Sequence, residues 1–173
     1  MDSVPRSGCP INQAVEVLGD PWVMLVLRDI MFGNRRHFRE LLAGSEEGIA
    51  PNILSSRLRR IVDAGLLTRE DARRGQRAAY SLTEAGIQTL PIMAAFGSWG
   101  LAHRGGERRL RVRAELLRDG GPELITRLMD DLREVHLGVP RPDPHARRAV
   151  DELRSAYETA TRDRSDPPEP PTS

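Results

Sequence analysis

The segment PNILSSRLRRIVDAG, residues 51–65, runs directly into LLTRE and leaves the fewest options for a fold. Wound at about 100° per residue, it gathers Leu54, Leu58, Ile61 and Val62 on one helix face. Asn52, Ser56, Arg59, Arg60 and Asp63 fall on the other face, with Ser55 at the edge. Gly65 stops the helix, and the run that follows is β-prone. Taken alone, such a polar face is a solvated one. Its neighbours in the chain argue for more.

Upstream, Pro10 and INQAVEVLGD predict a helix with Ile11, Ala14, Val15 and Leu18 on one side, stopped at Gly19. Asp20-Pro21 supplies a cap and a proline at the first helical position for WVMLVLRDIMFG. That segment is apolar nearly all round and should be central and buried. RRHFRELLAG is a third, shorter helix with Phe38, Leu41 and Leu42 inward. Downstream, LLTRED and AAYSLT flank the glycine-centred basic turn ARRGQR, the pattern of a β-hairpin. Thr83 caps the next helix, EAGIQTLPIMAAFGSWGLAHR, with Pro91 expected as an internal kink.

Three packed helices, a fourth turned outward and a hairpin with a basic tip describe a winged helix-turn-helix. The predicted fold is mainly α with a small β-hairpin wing, followed by a helical C-terminal extension. In that fold the recognition helix, about 51–64, offers its polar face to a DNA major groove, and the wing, about 66–82, lies beside it. The candidate DNA contacts are Asn52, Ser55, Ser56, Arg57, Arg59 and Arg60 on the helix, and Arg73, Arg74 and Arg77 on the wing. Asparagine suits adenine and arginine suits guanine, though both also hold phosphate. Arg57 borders the apolar face, which favours a phosphate contact or an intradomain pair over base reading.

Charge distribution supports the same region. The formal net charge is only +1, but residues 51–80 carry seven arginines against three acids, while residues 105–173 carry 13 against 14. A local positive patch of this kind is the footprint of nucleic-acid binding. The chain has no lysine, which excludes a phosphate-loop lysine and a Schiff base.

Other function classes find little footing. The four histidines are scattered, and the single cysteine has no partner at metal-ligand spacing. Glu46-Glu47 and Asp130-Asp131 are sequence neighbours rather than an acid/base pair across a substrate. GGP after Asp119 is a helix break without a phosphate-loop pattern. No catalytic activity, cofactor or metal is therefore expected. One cysteine fits a reducing cytosol, the N-terminus lacks a signal-peptide pattern, and WVMLVL is too short to span a bilayer. The expectation is a cytoplasmic protein with no membrane association.

From Gly105 the composition changes. ERRLRVRAELLRD is amphipathic; PELITRLMDDLREVHLG aligns Leu124, Leu128, Leu132 and Val135; PHARRAVDELRSAYETATRD spaces Ala146, Val150, Leu153 and Tyr157 at three- and four-residue steps. The expected organisation is an N-terminal arm (1–8), a DNA-binding domain (9–104), a helical extension (105–165) and a proline-rich tail (166–173).

Several motifs fall in one register: Cys9-Pro10, Gly19 through Trp22, Arg28-Asp29, Phe38, Gly48-Ile49, Leu54, Arg57-Leu58, Gly65-Leu66 and Tyr80-Ser81-Leu82-Thr83. Over roughly residues 9–104 they make the chain resemble the HxlR-type transcriptional regulators, bacterial relatives of the MarR group. The resemblance implies a homodimer that binds double-stranded operator DNA, with N- and C-terminal helices of the domain at the dimer interface. It departs from many members at Ala50-Pro51, where they carry Ser or Thr, and at the wing tip RRGQR. Some relatives place a redox or electrophile sensor where Cys9 stands, at a helix N-terminus whose dipole favours an anion. Cys9 is thus a candidate sensor. A small-molecule effector, if used, would sit in the extension or a dimer-interface cleft. The alternative is a protein–protein module that keeps the winged-helix fold without binding DNA.

Overall fold

A computed structural model describes residues 6–70 and 77–162, and the chain divides into two units, Met1–Gly86 and Ile87–Ser173. The first unit contains α1 (Pro10–Leu18), α2 (Pro21–Gly33), α3 (Phe38–Ala43), α4 (Pro51–Asp63), β1 (Leu67–Glu70) and β2 (Ala79–Leu82). The short α5 (Glu84–Ile87) reaches the division. The second unit contains α6 (Leu90–His103), α7 (Arg108–Leu137) and α8 (Ala149–Arg162).

Local chemistry explains the elements of the first unit. Asp20 caps α2, its carboxylate accepting from the amides of Trp22 (3.0 Å) and Val23 (3.3 Å). α2 is the central helix, burying Val23, Val26, Leu27, Ile30 and Met31. Leu41 of α3 and Leu54, Leu58 and Ile61 of α4 are buried in this unit too. α4 starts without a side-chain cap at Ala50, leaving Pro51 to set the first turn. It ends where Gly65, at φ 71°, lets Leu66 N–H return to the Ile61 carbonyl (3.1 Å). β1 and β2 then pair antiparallel, Leu67 opposite Leu82 and Glu70 opposite Ala79.

The wing is tied to the helices by a third strip of backbone. Tyr80 N–H donates to the Arg36 carbonyl (2.8 Å), and His37 bridges to Ala79. The Arg36 guanidinium donates to the Tyr80 carbonyl (3.2 Å) and to the Ser81 hydroxyl, and His37 Nδ1 lies 3.1 Å from the Ala78 carbonyl. Thr83 caps α5 as expected, its hydroxyl accepting from Gly86 N–H (3.1 Å) and donating to the Gly65 carbonyl (2.6 Å).

Two expectations change. Pro91 does not kink a continuous helix. α5 ends at Ile87, and Pro91 falls in the first turn of α6, where a missing N–H leaves no bond broken. The last helix begins at Ala149, well after Pro144. Arg141 instead folds residues 144–146 around itself, donating to the carbonyls of Pro144 (2.8 Å) and Ala146 (2.9 Å). The buried Asp131 carboxylate then accepts from Val150 N–H (3.0 Å) and starts the helix there. The break at GGP is present as a kink within α7, at Gly121. Leu124, Leu128, Leu132 and Leu153 are buried where α7 and α8 pack together.

Candidate nucleic-acid interface

The sequence puts arginines throughout the first unit; the structure separates those committed internally from those turned outward. Arg28 grips Glu47 with two hydrogen bonds (2.6 and 2.9 Å) and contacts the neighbouring Asp29. Arg35 donates to the Gly44 carbonyl (2.6 Å) and pairs with Asp29 (3.4 Å). Together they lock the end of α2 to α3 and to the turn that delivers α4. Arg36 holds the wing, as above.

The same accounting splits the candidate contacts on α4. Arg57 forms an ion pair with Asp20 at 2.7 Å, and Arg60 lies 3.9 Å from the same carboxylate while donating to the Glu16 carbonyl at the end of α1. Both therefore brace the helix from its flank. Asn52, Ser55 and Arg59 are exposed, and their side chains have no partner among the described residues. Ser56 is half-buried and accepts from Arg57 (3.3 Å). Asn52, Ser55, Ser56 and Arg59 lie within about 100° of one another on the helix, so they form one outward face.

Arg77 is exposed two residues before β2, whereas Arg73 and Arg74 lie outside the described residues. Two further arginines escaped the sequence reading. Arg39, the second residue of α3, and Arg69, on β1, are exposed with no partner among the described residues. Periodicity could have found Arg39, because Phe38, Leu41 and Leu42 inward leaves it outward. It also sits near the start of α3, the first helix of the helix-turn-helix pair.

Cys9 is a free, exposed thiol that opens α1. The nearby Arg6 pairs with Glu16: its backbone N–H donates to that carboxylate (3.0 Å), and its guanidinium approaches it (4.0 Å). Among the described residues, no cluster of His, Cys, Asp or Glu could hold a metal, and no helix is long and apolar enough to cross a membrane.

A helical core, an outward fourth helix and a hairpin tied beside it define a winged helix-turn-helix protein. Residues 17–107, more than half of the chain, match the model for HxlR-like helix-turn-helix proteins, and the chain belongs to that family. An HTH-type transcriptional regulator of Mycobacterium tuberculosis is 37% identical over 94 residues, 54% of this chain and 58% of that protein. The match therefore leaves over a third of that relative's length uncovered. An HTH-type transcriptional regulator of Synechocystis is 32% identical over 93 residues, 53% and 67% of the two chains. Among solved structures, the transcription factor candidate PA1607 matches with a TM-score of 0.53 and 33% identity, over 58% of this chain and 69% of that one. The redox regulator HypR in its oxidized form matches with a TM-score of 0.50 and 26% identity, over 57% and 100%.

Proposed function

We propose that the protein regulates transcription by binding operator DNA as a homodimer, with α4 in the major groove and the wing on the backbone. The observation that supports this reading is the outward face of α4: Asn52, Ser55 and Arg59 are exposed and uncommitted on the second helix of the helix-turn-helix, the element such motifs lay in a major groove. In this reading the DNA-binding domain spans residues 9–104, residues 105–165 are an appended helical extension, and the site of action is the cytoplasm. Selecting genomic fragments with the purified protein tests it directly. Failure to retain any fragment above background at low salt would overturn it in favour of a protein–protein module.

Arginines with different partners should behave differently. Asn52→Ala and Arg59→Ala should each relax preference at particular base positions, by about 1–3 kcal/mol where the contact is bidentate. Arg39→Ala, Arg69→Ala and alanines at Arg73, Arg74 and Arg77 should weaken binding to all sequences and flatten its salt dependence. Arg57→Ala and Arg60→Ala should act mainly through the seating of α4, lowering stability with little change in salt slope. Anisotropy titrations over a salt series separate the three groups, and an unchanged slope for the wing variant removes the wing from the contact set.

Cys9 is the proposed redox sensor, placed on α1, whose Ile11 and Val15 are 75% and 60% exposed. Two Cys9 thiols and one peroxide would give an intersubunit disulfide and two waters. Wild type treated with peroxide should then run as a covalent dimer with altered operator affinity, and Cys9→Ser should do neither. A wild type that stays uncrosslinked and keeps full binding assigns Cys9 a structural role.

A further inference from the structure

Residues 108–162 lie beyond the span matched by the family model, and there α7 and α8 line an open cleft of about 550 Å³. Its lining is mixed, with an apolar strip on each helix and Ser155 and Thr159 beside the strip on α8. Val112 and Leu116 stand one turn apart on α7, and Ala156 and Ala160 one turn apart on α8. Contacts from Arg109 to Tyr157 (3.2 Å) and from Arg127 to Glu152 (2.9 Å) show the helices to be antiparallel. The cleft thus runs from Arg108, at the Ala160 end, to Arg147, just ahead of α8. Alanines on the α8 side keep it open, since a longer side chain at either position would occupy the space.

The charge around this floor is one-sided. Glu115 pairs with Arg111 (3.1 Å) and Glu152 with Arg127 (2.9 Å), so both carboxylates of the lining are matched by arginines outside it. Arg147 is exposed, and its guanidinium has no hydrogen bond or ion pair among the described residues. Only its backbone carbonyl is engaged, by Arg127 (3.3 Å). A guanidinium of this kind at the end of an apolar floor matches a carboxylate or phosphate attached to a hydrocarbon.

We infer that the α7–α8 cleft binds an amphipathic organic anion, its headgroup on Arg147 and its hydrocarbon along Val112, Leu116, Ala156 and Ala160. The volume falls in the range of small-molecule sites. The eight helical steps from Arg108 to Leu116 give the cleft a length of about 12 Å, enough for a medium-length chain.

Calorimetric titration of the full chain with decanoate, decyl phosphate and decanol tests the inference. At least one of the two anions should bind, the tighter identifying the headgroup, and decanol should bind about tenfold more weakly or worse. Arg147→Ala should weaken the anion about tenfold, and Ala156→Leu should abolish binding by filling the floor. Arg147 is exposed, so its variant remains informative if Ala156→Leu fails to fold. The inference is overturned if neither anion binds at about 1 mM, if decanol binds as well as the anions, or if Arg147→Ala binds like wild type. None of these results bears on operator binding.

Discussion

In the proposed homodimer, glutamate at both Phe96 and Trp99 is expected to separate the subunits and to lower operator affinity by about two decades or more. α6 leaves Ile92, Phe96 and Trp99 at 41%, 59% and 55% exposure, and their spacing sets them on one stripe. His103 and Arg104 contact the Trp99 ring (5.0 and 5.5 Å) without covering it. Scattered apolar residues on a surface need no explanation, but a helical stripe with two aromatics marks an interface. A two-fold dimer buries each aromatic twice. Full burial of such a side chain gives about 1.5–3 kcal/mol, and about half remains to be gained here, so four side chains supply about 3–6 kcal/mol. At about 1.4 kcal/mol per decade their loss is two to four decades in dimerisation. A monomer then reads one half-site and loses the specificity that a paired site supplies. Sedimentation and operator titration measure the two effects. A variant that stays dimeric would remove α6 from the interface and leave α1 as the remaining candidate.

What the sequence made legible follows from period. The apolar steps of α2 and α4, the cap at Asp20, the stop at Gly65 and the glycine-centred turn each act within a few residues. They predicted the helical order and the hairpin. Partner choice is a different matter. Arg57, Arg59 and Arg60 are near-identical in a string of letters, yet Asp20 and the Glu16 carbonyl claim two of them from about forty residues away. Only the packing of α4 on the α1–α2 junction separates a bracing arginine from one offered outward. The delayed start of α8 has the same origin. The PHARR stretch has helical composition, but the carbonyls of Pro144 and Ala146 are held by the Arg141 guanidinium, and Asp131 fixes the first turn from another helix. Arg39 stands alone outside the charge-rich segment, where only the period of α3 marks it as outward, and Arg69 adds to the charge of residues 51–80 without a pattern that singles it out.

Replacing Arg28 with methionine is expected to destabilise the first unit by about 2–3 kcal/mol at neutral pH. Breaking a fully buried ion pair costs about 3–5 kcal/mol, and Arg28, with a side chain 28% exposed, belongs somewhat below that range. The loss falls on two carboxylates with opposite environments. Burial pushes the Asp29 carboxyl above its ordinary value, against the pull of Arg28 and, more weakly, Arg35. Glu47 is held below its ordinary value, chiefly by its hydrogen bonds from Arg28. Without Arg28, the Asp29 pKa rises further. A folded-state value above the unfolded one means that acidification favours the fold, so the variant regains stability as pH falls toward the ordinary Asp range. Wild type moves the other way through Glu47, whose contribution is present above the unfolded value and fades as pH drops through the folded one. Both effects narrow the gap between the two proteins on acidification, Asp29 as pH falls toward the ordinary Asp range and Glu47 only below the ordinary Glu value. The change between pH 7 and pH 5 thus comes from Asp29. Urea unfolding at pH 7 and pH 5 should therefore show a smaller difference at pH 5. Adding Asp29→Asn to the variant should recover part of the loss at pH 7, because the buried carboxylate left without Arg28 is then gone. An equal deficit at both pH values, with no recovery in the double variant, would mean that Arg28 acts through its packed stem and not through its charge.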